Sequence, residues 1–323
     1  MTQRVAVTGA SGFIGKHLVA KLVAGGHDIR AMVRSEEAAC KVSGKADVWR
    51  IDSAGDADCW DAGLSDCDAV VHLIGVAHAA AHDKKDLTSR FHEVNVNVTG
   101  RVVDACLRNG VHRLIYLSSI KAVGEGGPEP YTEASECLPE NPYGASKREA
   151  EQMILERTRG CDIEASILRP PVVYGPHVKG NIARMLKLVQ SGIPLPIRCL
   201  KARRSMLYVG NLVDAIRCMI ESEHPIGGIY HIADAEMPPT TREFLLDLGR
   251  LMGRRVVEVP VPASLLRMAG RLVGMGEEVK RLTSPLTTHG SRFWDELGWS
   301  APISMQQGLA ATVDWFVNRE GAA

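Results

Sequence analysis

The first half of the chain alternates short apolar runs with helix-like segments, and this order restricts the fold more than any other feature. Most of the apolar runs are continuous, as in strands that are buried on both faces of a sheet. They occupy residues 4–8, 29–33, 47–51, 69–73, 113–119 and 164–169. The helix-like segments between them include residues 13–25, 88–109 and 142–158. The pattern predicts an α/β fold with a doubly wound parallel sheet, covered by helices on both faces.

The first predicted strand leads into the stretch TGASGFIGKHL, which places Gly9, Gly12 and Gly15 in a turn and opens a helix. Glycine lets the backbone approach a phosphate closely, and the helix N-terminus offers free N–H groups and a positive dipole. Such glycines are weak evidence by themselves, but the context of strand, turn and helix makes the signal specific. We therefore predict a dinucleotide site that contains these glycines together with Phe13 and Ile14.

The regular alternation loosens after about residue 170, where the chain becomes richer in proline and glycine. We predict that residues 1–171 form an NAD(P)-binding Rossmann domain, and that sheet elements return near residues 205–234. Residues 172–204 and 235–323 are predicted to form a smaller α/β substrate-binding lobe that is interleaved with the first domain.

The end of the second strand bears on the choice between NAD and NADP. An acidic residue that binds the ribose hydroxyls is expected there, about 20 residues after the glycines, but Val33 and Arg34 stand near that position. A guanidinium binds phosphate well, so Arg34 favours NADP, with a solvated arginine at a strand end as the alternative. Asp52 and Ser53 follow the third strand and are predicted to lie by the adenine, although a turn or capping aspartate has the same pattern.

The stretch NPYGASKREAE, residues 141–151, places Tyr143 and Lys147 four residues apart after Pro142. Proline suits the first position of a helix and most of the following residues are good helix formers, so a helix is predicted to begin here. Positions four residues apart share one helix face, where a nearby ammonium lowers the pKa of a phenol toward a range useful for proton transfer. This spacing alone is a weak signal, and an ordinary surface pair is the alternative.

The overall composition restricts the classes of partner that we expect for this chain. Lysine plus arginine and aspartate plus glutamate number 38 each, so the charge does not favour nucleic acid. The eight cysteines and 11 histidines show no metal-binding spacing, and we expect no metal site. The chain opens directly on a predicted strand and has no apolar run of the about 18 residues that a membrane span needs. We expect a cytoplasmic protein without a signal peptide or an integral membrane segment.

The segment PASLLRMAGRLVGMG, residues 262–276, is amphipathic and has the pattern of a helix that lies on a membrane surface. A helix that covers the substrate lobe has the same periodicity and is the favoured interpretation.

Four features together resemble the extended short-chain dehydrogenase/reductases. They are the glycine spacing, the strand end YLSS, the pair Tyr143 and Lys147, and the loop LRPPVVYGP. More narrowly, the chain resembles the nucleotide-sugar epimerases, dehydratases and 4-ketoreductases of the NAD-dependent epimerase/dehydratase family. The resemblance covers nearly the whole chain and includes NVTGRVVDAC (97–106), RRSMLYVGNLVDAI (203–216), GGIYHIADAEMPPTTREF (227–244) and ELGWSAPISMQQGL (296–309).

This resemblance implies catalytic roles for three residues. Tyr143 would be the general acid/base at a sugar hydroxyl or ketone, and Ser119 would hydrogen-bond the reacting oxygen. Lys147 would lower the pKa of Tyr143 and bind the nicotinamide ribose. Hydride would pass between the nicotinamide and a sugar carbon.

Further positions match family contacts outside the catalytic residues. They are Leu73, Gly75, Asn97, Tyr143, Lys147 and Pro170 for the cofactor, and Lys121, Asn181 and Arg204 for the sugar or diphosphate. Asn97 matches a helix asparagine near the active site, with a purely structural role as the alternative. An ordinary loop lysine and a surface arginine are the alternatives for Lys121 and Arg204.

Two departures from the family bear on the reaction. Sugar 4,6-dehydratases carry an Asp-Glu pair after the catalytic Ser/Thr, because water elimination needs a further acid and base, whereas this chain has Ile120 and Lys121. Many epimerases of the group carry an asparagine in the loop after Leu-Arg, where this chain has Val172. The first departure argues against dehydration, and the Pro-Pro form of the loop resembles 4-ketoreductases.

The sequence therefore predicts an NAD(P)-dependent oxidoreductase that acts at C4 of a UDP-hexose and most resembles a nucleotide-sugar 4-ketoreductase. A UDP-hexose 4-epimerase is the nearest alternative. A ketoreductase of a lipophilic ketone and a non-catalytic, cofactor-sensing protein are further alternatives, because a fold does not fix a function. The expected cofactor is NADP or NAD, the expected partner is a nucleotide sugar, and the expected assembly is a homodimer.

Overall fold

A computed structural model describes residues 2–42, 44, 46–51, 56–77, 84–234 and 237–320. Its strands form one large and one small sheet. The strands are β1 (Arg4–Thr8), β2 (Asp28–Val33), β3 (Asp47–Arg50), β4 (Ala69–His72), β5 (Arg113–Leu117), β6 (Glu164–Arg169), β7 (Val172–Tyr174), β8 (Met206–Tyr208) and β9 (Gly228–His231).

Helices connect these strands and form the rest of the regular structure. In the first part of the chain they are α1 (Phe13–Ala24), α2 (Glu36–Ala39), α3 (Ala57–Leu64), α4 (Lys84–His92), α5 (Val98–Arg108) and α6 (Pro142–Arg157). Those that follow are α7 (Gly180–Gln190), α8 (Val209–Glu221), α9 (Thr241–Leu251), α10 (Ala263–Leu272), α11 (Gly276–Thr283), α12 (Arg292–Leu297) and α13 (Met305–Glu320). A π-helical turn (Glu93–Asn97) joins α4 to α5, and a 3₁₀ turn (Ile120–Ala122) follows β5.

The large sheet has the strand order β3-β2-β1-β4-β5-β6-β9, and every neighbouring pair is parallel. Val7 in the central strand β1 pairs with Ala31 on one side and with Val71 on the other. The strand order reverses between β1 and β4, and the crevice at such a switch point is where open α/β sheets bind ligands. The topology confirms the predicted doubly wound parallel sheet.

Apolar layers cover both faces of the large sheet. On one face, α1 and α8 pack against the strands, with Leu18 and Met219 fully buried between them. On the other face, α3, α5 and α6 cover the sheet, with Trp60 and Val102 in the core. These layers account for the continuous apolar runs in the sequence, because each strand is buried from both sides.

The later part of the chain builds the smaller lobe around the two-stranded parallel sheet of β7 and β8. Helices α7, α9 and α13 pack against this sheet and against one another, around the fully buried side chains of Tyr174 and Phe244. Between the lobe segments the chain returns to the large sheet, but only β9 joins it there. Strand β8, which lies in the predicted returning segment, pairs with β7 instead.

Within the described residues, no helix combines the length and the hydrophobicity that crossing a bilayer requires. The described residues likewise contain no group of three or more His, Cys, Asp or Glu side chains placed to hold a metal ion.

Candidate active site

The glycine turn between β1 and α1 has the geometry of a dinucleotide cradle. Gly9 adopts φ +69°, a left-handed conformation that favours glycine, and its carbonyl accepts a hydrogen bond from the N–H of Gly12 at 2.9 Å. A side chain on Gly15 would place its Cβ 2.3 Å from that same carbonyl oxygen. Among the described residues, no side chain caps the N-terminus of α1 at Gly12, so the N–H groups of the first turn can bind a pyrophosphate. The residues present therefore fit an NAD-type cofactor.

The predicted side chains Phe13 and Ile14 begin α1, and both are partly buried. Phe13 packs on both the main core and the lobe core, with its ring edge against His17 at a centroid distance of 5.9 Å. The cradle is thus anchored at the boundary between the cofactor domain and the lobe.

The segment after β4 links the glycine turn to the predicted catalytic helix. The backbone of Leu73 lies against Gly9, where an added Cβ would sit 3.2 Å from the Leu73 carbonyl carbon. Two residues further on, a Cβ added to Gly75 would lie 3.0 Å from Nζ of Lys147. Glycine at position 75 therefore keeps space open in front of the lysine.

Lys147 lies one turn into α6 and is only 4% exposed. Its Nζ donates hydrogen bonds to the Tyr116 hydroxyl at 3.1 Å and to the Leu117 carbonyl at 2.9 Å, and it lies 4.6 Å from the centroid of the Tyr116 ring. Burial lowers the pKa of Lys147 to about 8, although the negative charge of Glu151 acts in the opposite direction. The lysine is thus a buried cation at the carboxyl end of β5.

Tyr143 stands in the first turn of the same helix, beside Ser119. Asn141 caps this helix, since its side-chain oxygen accepts a hydrogen bond from the N–H of Gly144 at 2.9 Å. Burial raises the pKa of the Tyr143 phenol, and a hydrogen bond with the Ser119 side chain lowers it in part. The ammonium group of Lys147 is bonded to Tyr116, and the lowering of the Tyr143 pKa by Lys147 stays a prediction.

The asparagine that reaches this cluster is Asn95 and not the predicted Asn97. Oδ1 of the fully buried Asn95 accepts a hydrogen bond from Val76 N at 2.9 Å, and its Nδ2 donates to Ser146 Oγ at 2.9 Å. Asn97, in contrast, donates to the exposed carboxylate of Glu93. Both asparagines lie in the π-helical turn, which inserts an extra residue into the helix and rotates the positions that follow. The sequence-based prediction assumed a regular helix here and therefore selected the wrong asparagine.

A chain of buried hydrogen bonds runs from the glycine turn toward Asn95. The hydroxyl of Thr8 bonds to Nδ1 of His72 at 2.7 Å, and Nε2 of that ring bonds to the hydroxyl of Thr99 at 3.0 Å. Thr99 donates onward to the Asn95 carbonyl at 2.8 Å. Burial and the Lys147 charge lower the pKa of His72 to about 3, so the ring is neutral and serves to join the strands.

A second buried network lies behind α6. Glu151 and Arg169 form an ion pair in which both side chains are at most 1% exposed. Glu151 also accepts a hydrogen bond from the Ser118 hydroxyl at 2.5 Å, and Nη1 of Arg169 lies 3.4 Å from Nε2 of His231. The network fixes α6 to the ends of β5, β6 and β9.

The remaining predicted cofactor residues stand in different environments. Arg34 follows β2 directly and is exposed. Pro170 is buried after β6, and its carbonyl accepts a hydrogen bond from the N–H of Ile120 at 3.0 Å. This bond holds the backbone next to Ser119 in place. The two other predicted contacts, Asp52 and Ser53, lie outside the described residues.

The two cationic residues among the predicted substrate contacts are both hydrogen-bonded within the protein. Lys121 donates to both carboxylate oxygens of Glu125, at 2.9 and 3.0 Å. Arg204 is only 8% exposed, and its Nη1 donates to the carbonyls of Arg281 and Ser284 at 2.8 and 2.9 Å. These bonds hold α11 to the lobe and contradict the alternative of a surface arginine, while the contact with the diphosphate stays a prediction. Asn181 lies partly exposed in the first turn of α7.

Sequence reasoning missed Asn95, Tyr116 and Glu151. Glu151 follows Lys147 by the same four-residue interval that separates Lys147 from Tyr143, so a shared helix face was visible in the sequence. Tyr116 occupies a strand position that looks like ordinary core. No sequence signal marked the π-helical turn that selects Asn95.

A parallel sheet that ends in a dinucleotide cradle beside a tyrosine and a buried lysine is the arrangement of a nicotinamide-dependent oxidoreductase. The model of the NAD dependent epimerase/dehydratase family matches residues 5–233, and the chain belongs to this family of enzymes.

Several relatives match nearly the whole chain, and two of them are named as 4-epimerases. The UDP-glucose 4-epimerase of Vibrio cholerae is 31% identical over 98% of this chain and 96% of its own length. The N-acetyl-alpha-D-glucosaminyl-diphospho-ditrans,octacis-undecaprenol 4-epimerase of Escherichia coli O157:H7 is 26% identical over 98% of this chain and 96% of its own length. Among solved structures, the UDP-glucose 4-epimerase of Thermus thermophilus in complex with NAD shares the fold, with a TM-score of 0.76 and 24% identity over 99% of this chain and 100% of that chain.

Proposed function

We propose that the protein carries out NAD-dependent redox chemistry at C4 of a hexose attached to a diphosphate, and that it is a 4-epimerase. From the sequence alone, a 4-ketoreductase was the first expectation. The relatives from Vibrio cholerae and Escherichia coli, both named as 4-epimerases and matched over nearly their full lengths, support the epimerase instead.

One observation carries the proposal. Tyr143 bonds to Ser119, and Lys147 on the same helix is buried beside Gly75, in the segment that leads back to the glycine turn. This arrangement supports the proposal that Tyr143 acts as the proton-transfer group for a cofactor held at Gly9. Dehydration needs a further acid and base, and after Ser119 the chain has the buried Ile120 and the ion-paired Lys121.

The chain's own residues would divide the work of an epimerase as follows. When bound, NAD supplies a hydride acceptor and then a hydride donor. Tyr143 would take the proton of the C4 hydroxyl and later return it to the oxygen of the keto sugar. Ser119 would hold that oxygen beside the phenol. Lys147, which is mostly protonated at pH 7 given its pKa of about 8, would stabilise the phenolate by its charge.

The diphosphate of the substrate would lie at the N-terminus of α7. Lys179 precedes this helix without a side-chain cap, and the first turn contains no acidic residue, so its N–H groups can bind an anion. Asn181 would add a donor from that turn. Lys121 now bonds to Glu125, and Arg204 bonds to carbonyls at the end of α11. Each would have to exchange part of these hydrogen bonds for the phosphate oxygens in order to bind the diphosphate.

A 4-ketoreductase is the second candidate, and Arg34 favours it. A reductase must exchange its cofactor at every turnover, and an exposed arginine beside the expected adenosine ribose position would recruit the 2′-phosphate of NADPH. A homodimer in the cytoplasm remains a prediction for either function.

The two candidates differ in what happens to the cofactor. We expect the purified protein to retain NAD and to interconvert UDP-glucose and UDP-galactose, or their N-acetyl forms, without net change in NADH absorbance. Proton NMR of the anomeric signals would follow this interconversion. Protein that is free of nucleotide and consumes one NADPH per 4-keto sugar would assign the reductase. Absence of both reactions, with nucleotide bound, would contradict both.

A further inference from the structure

The residues around α10 expose an unusual share of apolar surface. Of the fifteen large hydrophobic side chains exposed in the described chain, seven lie within residues 257–275. Leu272 and Val273 are the most open of these, at 82% and 69% exposure, followed by Met268 at 57% and Met275 at 52%. Single exposed apolar residues are ordinary, but a group of this size marks an interaction surface.

Helix α10 has two apolar sides, and the protein covers only one of them. Leu266 packs into the lobe core, and Gly270 packs on α11, where an added Cβ would lie 2.7 Å from a Val279 methyl group. Leu265 and Met268, which with Leu272 follow the spacing of one helix face, are 49% and 57% exposed. We call the exposed set Leu265, Met268, Leu272, Val273 and Met275 the α10 face.

The charged residues of the chain from position 254 to position 271 are mostly positive. Arg254, Arg255 and Arg271 are exposed, and none of them forms an ion pair with a described residue. Arg267 is also exposed, although its guanidinium bonds to Thr283 on α11. The one acidic residue between positions 254 and 275 is Glu258, which is paired with Arg242, and two glutamates follow at the start of α11.

We propose that the α10 face docks on the surface of an anionic lipid bilayer. A helix that presents leucine and methionine on one side and arginine beside them suits the boundary between acyl chains and headgroups. The arginines without an acidic partner among the described residues supply charge complementary to anionic headgroups. A second copy of this chain that docked through the same face would bring these arginines close to one another across the two-fold axis, which disfavours it as the occupant.

The position of the α10 face connects it to the candidate active site. Helix α11, which packs against α10, accepts the hydrogen bonds of Arg204 and ion-pairs through Lys280 with Glu140 at 2.9 Å. Glu140 immediately precedes Asn141, the cap of the catalytic helix α6. Docking through α10 would therefore bring the lobe side of the site close to the membrane surface.

Vesicle co-sedimentation of the intact protein tests the proposal without substrate or cofactor, so its result is independent of the proposed reaction. We expect binding to vesicles of phosphatidylcholine with about one third phosphatidylglycerol, and at least tenfold weaker binding to phosphatidylcholine alone. Binding to the anionic vesicles should also weaken strongly between about 50 and 500 mM NaCl, because salt screens the attraction. Equal binding to both vesicles, or none, would overturn the proposal.

Two variants and a control locate the binding surface. Leu272→Glu and Arg271→Glu each alter an exposed side chain, so we expect unchanged melting temperatures and at least tenfold weaker binding to the anionic vesicles. Val48→Glu places the same charge on an exposed position of the edge strand β3, and binding should stay within about twofold of the parent. Equal loss in all three variants would contradict the α10 face as the docking site. A dimer that Leu272→Glu dissociates, without vesicle binding, would assign the face to a second copy and overturn the proposal.

Discussion

The carboxylate of Glu151 accepts hydrogen bonds from Nε of Arg169 at 2.9 Å and from its Nη2 at 2.6 Å, in a position that water does not reach. Glu151→Gln would keep the shape of the side chain but leave the guanidinium without its counterion. Breaking a buried ion pair in this way costs about 3–5 kcal/mol of unfolding free energy. Urea denaturation at pH 7 measures the loss.

An exposed ion pair provides the matched control for this change. Asp61 binds Arg108 through three hydrogen bonds on the surface of α3 and α5. Asp61→Asn should cost less than about 1 kcal/mol, because solvent screens that pair. Similar losses in the two variants would mean that Glu151 does not hold α6 in place.

Tyr143→Phe removes the proposed proton-transfer group and keeps the ring that contacts Phe91 at a centroid distance of 5.8 Å. Turnover should fall by about two to four orders of magnitude, the usual contribution of general acid–base catalysis. Cofactor affinity, measured by calorimetry, should change little, since the phenol is not part of the glycine turn. Near-normal turnover in this variant would remove the tyrosine from the mechanism.

The buried Lys147 should make stability depend on pH. Its pKa is about 8 in the folded protein and near 10.5 when unfolded, so between these values the unfolded chain binds more protons. The stability of the parent should therefore rise with pH across this window, relative to Lys147→Met, by about 2 kcal/mol between pH 7 and pH 9.5. Below pH 7 the difference between the two proteins should be constant. Urea denaturation at several pH values checks this, and a difference that stays flat from pH 7 to pH 9.5 would contradict a buried, destabilised ammonium.

Asn95 and Asn97 should differ sharply on substitution, although they are two residues apart. Asn95→Ala removes the hydrogen bonds that this side chain forms with the Val76 backbone and with Ser146, which costs about 1–3 kcal/mol, and should lower turnover because the segment after Gly75 loses its anchor. Asn97→Ala removes only a surface contact and should shift the melting temperature by no more than a degree or two. Thermal unfolding and steady-state assays compare the two variants. Equal effects would contradict the different positions that the π-helical turn gives to Asn95 and Asn97.

Arg34→Ala tests the NADP preference that the second candidate function, the 4-ketoreductase, predicts. If the guanidinium binds the 2′-phosphate, the parent should prefer NADP(H) over NAD(H) by about tenfold or more, equivalent to about 1.4 kcal/mol, and the variant should lose most of that preference. Affinity for NAD(H) should be the same in both proteins. A parent that favours NAD(H) would leave Arg34 as a solvated residue at the end of β2.

The parts of this molecule that follow from local sequence could be predicted. The order of strands, the glycine turn at Gly9 and the start of a helix at Pro142 each depend on residues that are neighbours in the chain. For the same reason, the doubly wound fold and the family could be inferred from the sequence alone. The four-residue spacing of Tyr143 and Lys147 likewise places both on one side of α6.

Contacts between distant segments could not be predicted in this way. The π-helical turn that brings Asn95 inward depends on how α4 and α5 pack against α6, and no residue pattern announces it. Arg204 looks like a free cation in the sequence, but the carbonyls that bind it belong to α11 and the residue after it, far along the chain. Lys147 lies on the same helix as Tyr143, as the spacing predicts, but its hydrogen bond to Tyr116 joins α6 to β5, which is distant in the chain.

The late arrival of β9 in the large sheet affects how the protein is made. Ile167 of β6 pairs with Ile229 only after the chain has passed through the lobe elements β7, α7, β8 and α8. During synthesis, the apolar edge of β6 therefore stays unpaired until β9 has left the ribosome, and such an edge can pair with other chains. A chain whose synthesis ends within the lobe would contain the first strands of the large sheet with β6 as an unpaired edge. Such truncated products should aggregate instead of persisting as small folded domains.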